Sequence, residues 1–183
     1  IQIAQQQGAE VFATAHPSKW DVLRALGVTH LMNSRTLEFA EQIRERTGGA
    51  GVDVVLNSLI DDFIPRSLEI LSEGGCWLEI GKRAREVWNA DSFGRVRPDV
   101  HYHVIDLLHT CQHEPQLITP VFEALMQQFE LGHYQPIPAR EYGMDQAVEA
   151  FRWMQQAKHI GKIVLTAPAA QRALFQPEAS YLI

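Results

Sequence analysis

The sequence predicts a doubly wound parallel α/β fold, and three observations carry the prediction. Gly51 to Ser58 and Leu71 to Lys82 are apolar runs of strand length that end in small or polar residues. A helix-length segment, Asp61 to Leu71, separates them, which is the spacing of a strand, a crossover helix and a parallel strand. The same alternation continues on both sides as far as Thr166, and alternating strands and helices build a parallel sheet covered on both faces.

Taken in order, Ile1 to Gly8 has the pattern of the second half of a helix with Gly8 as its stop. Two turns with no capping residue are marginal alone, so the helix is expected to continue from a longer chain. Glu10 to Thr14 is a predicted strand, and Ser18 to Leu26 a predicted helix capped by Ser18, with Asp21 three residues on and Gly27 as its stop. His30 to Asn33 is the next strand; Leu37 to Arg46 is a charged amphipathic helix closed by Thr47-Gly48-Gly49-Ala50-Gly51. Beyond the central strand-helix-strand unit, Lys82 to Pro98 is polar and irregular, with room for a short helical turn. Tyr102 to Asp106 alternates as a strand does. Leu117, Val121, Leu125 and Phe129 form one row of a helix from Leu117 to Leu131. Asp145 caps a helix to Ala157, with Val148, Phe151 and Trp153 among its apolar positions, and Ile160 to Thr166 is the last strand before an Ala- and Pro-containing linker. Ser180 to Ile183 opens one more strand.

The chain has 183 residues, 46% of them hydrophobic and 21% charged, which suits a globular protein with one sizeable core and part of a second. Its net charge of -6 argues against a general nucleic-acid binder, which needs a basic field. Cys76 and Cys111 lie in no metal-ligand spacing and point to a reducing compartment. With no apolar run near membrane-span length and no signal peptide, a cytoplasmic location is expected.

In open α/β sheets ligands lie beyond the carboxyl ends of the strands, so Asn57, Ser58, Gly81 and Lys82 are expected to line a crevice. The strand ending Thr14-Ala15-His16 carries no acid to take the ribose hydroxyls of NAD. Ser18 and Lys19 open the next helix and Arg35 follows the next strand, a hydroxyl and two cations suited to the 2′-phosphate of NADPH. The alternative is a helix cap at Ser18 and two solvated surface charges. Asn57, Ser58 and Gly81 have a similar alternative as ordinary strand-end and turn residues.

A specific family pattern runs through these blocks. Gly8 to Ala15, Ser18 to Asp21, Asn33 to Thr36, Thr47 to Leu59, Glu79 to Lys82 and His159 to Thr166, in that order, resemble the enoylreductase domain of modular polyketide synthases, within the medium-chain dehydrogenase/reductase superfamily. Phe175 to Ile183 resembles the lead-in to the ketoreductase domain that follows it. The resemblance implies a Rossmann-like sheet lacking its first strand and Gly-rich loop, with 1–166 as the nucleotide-binding portion, 167–179 as linker and 180–183 as the start of a ketoreductase-like domain. It implies NADPH-dependent reduction of an α,β-unsaturated thioester carried on an acyl carrier protein during polyketide chain elongation. Hydride goes to the β-carbon and a proton to the α-carbon. Lys82 matches the strand-end lysine proposed as proton donor, and Asp106 its acidic partner; without the resemblance, a surface lysine and a cap would be the ordinary reading of both. Cofactor contacts are implied at Thr14, Ser18, Lys19, Arg35, Asn57, Ser58, Gly81 and Lys162. Other domains of the synthase, including ketoreductase and dehydratase, are the implied partners, with dimerisation through the parent synthase and no metal. His109 and His113 would face one way on a helix, but Thr110-Cys111-Gln112 and Pro115 argue against a helix there. Two other readings are a stand-alone quinone or alkenal reductase and an inactive cofactor-binding or scaffolding piece. The chain alone, without a substrate domain, is expected to be inactive.

Overall fold

Crossover connections of helix length leave little choice but parallel pairing, and every strand ladder among the described residues is parallel. The computed structural model describes residues 1–157 and 159–167. The chain divides into two units, Ile1–Tyr134 and Gln135–Ile183.

In the first unit α1 (Gln2–Gln6) leads to β1 (Phe12–Ala15), α2 (Trp20–Ala25) and β2 (His30–Asn33), and α3 (Phe39–Arg46) leads to β3 (Val52–Asn57). Then come α4 (Phe63–Leu68), β4 (Leu71–Glu79), α5 (Ala90–Val96), β5 (His101–Val104), α6 (Leu107–His113) and α7 (Ile118–Glu130). β1 pairs with β2, and a second ladder runs in the order β3-β4-β5. The second unit is a βαβ of its own, β6 (Ala139–Gly143), α8 (Ala147–Gln155) and β7 (Lys162–Thr166), with β6 beside β7. Among the described residues the architecture is the open, Rossmann-like α/β arrangement expected, with no closed barrel. Among the described residues β3 pairs only with β4, and its Val54 and Leu56 are exposed. No described helix is long and apolar enough to cross a membrane.

Two apolar clusters hold the first unit. One joins Ile64 and Leu68 of α4 to Leu71 and Trp77 of β4 and Phe93 of α5, where Phe93 lies 5.0 Å from Trp77 and 4.5 Å from Tyr102 between ring centres. The other packs Phe39, Ala40 and Ile43, one face of α3, against Met32 and Ile70. Val52 touches both. Gly51, at φ +79°, feeds the chain into β3, and a Cβ there would run into the Ile70 carbonyl that receives the Val52 amide.

Five local expectations are corrected, the first being the Asp145 cap: Asp145 lies inside a 3₁₀ turn at Met144–Gln146, and α8 starts after it at Ala147 with no side-chain cap from Gln146. Ser18 caps nothing: a 3₁₀ turn at Pro17–Lys19 precedes α2, and His16 caps it, its Nδ1 accepting the Ser18 amide at 3.2 Å. Histidine is no favoured cap, so composition misses it. Residues 107–113 are helical after all, because Asp106 caps α6 by accepting the His109 amide at 3.2 Å and Pro115 lies past the helix end. α5 forms inside the stretch expected to be irregular, on a reciprocal Asn89–Ser92 cap. β6 escapes prediction because Ala-Arg-Glu-Tyr-Gly shows no apolar alternation and buries only Tyr142; the ladder with β7 makes it a strand. The expected linker beyond residue 167 and the strand at residues 180–183 lie outside the described residues.

Arg97 ties several of these elements together. Its guanidinium donates to the carbonyls of Leu68 at 2.7 Å, Leu71 at 3.2 Å and Ser72 at 3.1 Å, and pairs with Asp99 at 2.7 Å. Arg97→Ala leaves these carbonyls without their donor and is expected to cost about 2–4 kcal/mol in chemical denaturation. The Arg97 hydrogen bond holds the Asp99 carboxyl well below the usual carboxylate range. Because the folded value lies below the unfolded one, this contribution is full above an unfolded value of about 3.9 and is lost as pH falls through the folded value. Asp99→Asn is therefore expected to flatten the acid limb of a stability-against-pH curve.

Candidate active site

Register brings the strand ends together. Asn57 of β3 lies opposite Glu79 of β4, which lies opposite Val104 of β5. The Ile80 amide donates to the Asn57 carbonyl at 3.0 Å and the Ile105 amide to the Glu79 carbonyl at 2.9 Å, so the three strands stop on one rim. From that rim the chain leaves through Ser58-Leu59 and Gly81-Lys82. β1 and β2 end level in the same way, Ala15 opposite Asn33, with the Ser34 amide on the Ala15 carbonyl at 3.2 Å. The Asn33 side chain accepts the Arg35 amide at 3.0 Å and turns that loop.

A cavity of ≈ 430 Å³ opens among these exits. Arg35, Lys82 and Arg83 bring three cations to it, Ser34 and Ser58 two hydroxyls, and Leu59, Ile60 and Phe63 an apolar wall. No carboxylate among the described residues lines it, although the chain as a whole is acidic. Such a lining selects an anion with an apolar part, because clustered cations with neighbouring hydroxyls raise the local concentration of negative ligands.

Of the residues singled out from the sequence, Arg35, Ser58, Gly81 and Lys82 meet in this cavity. Asn57 lies beneath it, buried, its amide donating to Glu79 and to the Leu59 carbonyl while its oxygen accepts the Leu59 amide. Thr14 sits in the β1 ladder opposite Met32, and Ser18 and Lys19 lie on the 3₁₀ turn that follows β1. The Ser18 hydroxyl is within 2.8 Å of His16 Nδ1. None of these three lines the cavity. Lys162 opens β7 in the second unit, its amide on the Pro138 carbonyl at 2.8 Å. Asp106 caps α6 and pairs with Arg85 at 3.1 Å. The His109 amide, then Arg85, and more weakly the charge of Lys82 hold its carboxyl below the usual range. Its direct cationic partner is thus Arg85, and Lys82 reaches it through space.

Sequence reasoning overlooked Glu79. Its side chain is fully buried and accepts from Asn57 Nδ2 at 2.7 Å, Trp77 Nε1 at 3.2 Å and the Gly81 amide at 2.6 Å. The signal was present: Glu79 falls two residues after Trp77 on a buried strand, which puts both on one face. Burial, and next the Glu79 carboxylate, push the neighbouring Tyr102 phenol up.

Residues 26–165 match the family described as zinc-binding dehydrogenase. The chain belongs to this family. Similar proteins narrow the comparison. The spectinabilin polyketide synthase system protein NorB of Streptomyces orinoci is 41% identical over 172 residues, 93% of this chain and 8% of that protein. The crystal structure of CurK enoyl reductase is 49% identical with a TM-score of 0.84, over 91% of this chain and 50% of that one. The nucleotide-binding subdomain of the enoylreductase domain of PpsC from Mycobacterium tuberculosis is 33% identical with a TM-score of 0.64, over 73% of this chain and 75% of that one. This dehydrogenase-family chain therefore spans only a small part of its curated relative and half of the CurK chain. Despite the family's description, the described residues hold no group of three or more His, Cys, Asp or Glu side chains able to bind a metal ion, so they do not fit a zinc site.

Arg85→Ala removes one of the two hydrogen bonds on the Asp106 carboxyl. The titration of Asp106, followed by NMR, is expected to move up toward the ordinary aspartate value without reaching it, because the His109 amide remains.

Proposed function

We propose that this chain is the cofactor-binding part of an NADPH-dependent reductase of enoyl thioesters, acting on chains tethered to an acyl carrier protein within a polyketide synthase. The observation that carries the proposal is the entry of Lys82 into a cationic cavity beside Arg35 and Ser58 at the strand ends. Its similarity to polyketide synthases and to enoyl reductases supports the same reading. The ketoreductase and dehydratase of the same synthase, and a second copy of it, are the proposed neighbours.

The donors present suit a phosphorylated dinucleotide. Arg35, with Ser18 and Lys19 on the adjoining loop, would hold the 2′-phosphate; Thr14, Ser58 and Gly81 would meet the rest of the cofactor, over a floor braced by Asn57. When bound, NADPH would supply the hydride for the β-carbon of the unsaturated thioester. Lys82 then has two tasks: its ammonium stabilises negative charge on the thioester oxygen, and it delivers a proton to the α-carbon. Asp106, oriented by Arg85 and the His109 amide, places a negative charge on that side of the site.

Two measurements on the complete gene product test this. It is expected to reduce a crotonyl thioester much faster with NADPH than with NADH. Lys19→Ala combined with Arg35→Ala should erode that preference by roughly 10- to 100-fold, the worth of one or two charge-assisted hydrogen bonds. Equal rates with both cofactors in the unaltered protein would remove the phosphate clamp. Lys82→Ala is expected to slow turnover about 100-fold, as loss of a general acid does, with NADPH affinity little changed. Turnover at the original rate would return Lys82 to the surface.

A further inference from the structure

A carboxylate withdrawn from water is tolerated where hydrogen bonds satisfy its oxygens, and Glu79 meets that condition in an informative way. Oε2 accepts from Asn57 and Trp77, and Oε1 accepts the Gly81 amide. Two of these donors belong to the turns that enter the cavity. Asn57 also fixes the Leu59 backbone from both sides, and Gly81 immediately precedes Lys82. A Cβ on Gly81 would meet Glu79 Oε1 at 2.8 Å and the Ser58 Cα and carbonyl oxygen at 3.6 Å. The bare backbone therefore lets the 81–82 turn sit on the carboxylate and against Ser58 at once.

We propose that Glu79 is a positioning residue: one buried carboxylate locks the Ser58 and Lys82 turns together and so sets where the Lys82 ammonium stands in the cavity. The inference rests on the reading of Lys82 as the group that acts on the thioester. It accounts for an acid at a position where an amide would be easier to bury. Glutamine would turn an NH₂ group toward an N–H donor, either that of Gly81 or those of Asn57 and Trp77. One of the two turns would lose its anchor.

The test is a double-mutant cycle in the complete gene product, assayed with a crotonyl thioester and NADPH. Glu79→Gln is expected to lower kcat about 100-fold at saturating NADPH, the scale of a misplacement near one ångström. Glu79→Gln combined with Lys82→Ala should be no slower than the slower single variant, since both remove the same contribution. A double variant that loses the product of the two single effects, or Glu79→Gln at the original rate, overturns the proposal while leaving Lys82 in place. Lys82→Ala at the original rate overturns the reading of Lys82, and the positioning role with it. If Glu79→Gln does not fold, Gly81→Ala crowds the same junction with the carboxylate kept and should show the same non-additivity with Lys82→Ala; additive losses or an unchanged rate again overturn the proposal.

Discussion

In a parallel ladder the hydrogen bonds slant from strand to strand, so strands held in register deliver their carboxyl ends to a single rim. β3, β4 and β5 do this with Asn57, Glu79 and Val104. The constraint has chemical consequences because each strand then hands its chain to a different loop at the same height. Ser58, Lys82 and the Asp106 cap of α6 come within one neighbourhood although the chain separates them widely. The cavity at this rim follows from the register; no loop has to reach far to build it.

β4 is the strand on which the arrangement turns, and charged side chains secure both of its ends. At its start Arg97 gives donors to the Leu68, Leu71 and Ser72 carbonyls. At its finish Glu79 takes donors from Asn57, Trp77 and Gly81. The sign of each side chain suits the groups it meets, a cation where carbonyls lack partners and an anion where N–H groups do. Between them Trp77 fills the core against Phe93, so the strand is held by packing at its middle and by charge at its ends.

The contrast between the acidic chain and its cationic cavity follows from the same geometry. Net charge describes solubility and long-range attraction, whereas a site responds to the charges within a Debye length. Arg35 arrives from the end of β2, and Lys82 and Arg83 from the end of β4. The described carboxylates that make the chain acidic lie elsewhere, two of them, Glu41 of α3 and Glu69 just past α4, paired with Arg44 and Arg66.

The α/β class, the βαβ core and the cavity residues Arg35, Ser58, Gly81 and Lys82 were legible because they depend on local features. Strand-length apolar runs, a crossover of helix length and small residues at strand ends are written in consecutive positions. β6 was not legible, since Ala-Arg-Glu-Tyr-Gly becomes a strand only when β7 lies beside it. Nor was the cap at His16, which depends on the turn that Pro17 starts, nor the preference of Asp106 for Arg85 over Lys82. By itself the sequence determined most of the segments that become strands, β6 excepted, and the residues that follow β2, β3 and β4, because periodicity and turn chemistry act over a few residues. Only the tertiary structure decided which of those end residues touch: Glu79 gained its three donors because the ladder register carried Asn57 alongside it, and register is a property of paired strands that neither strand encodes alone.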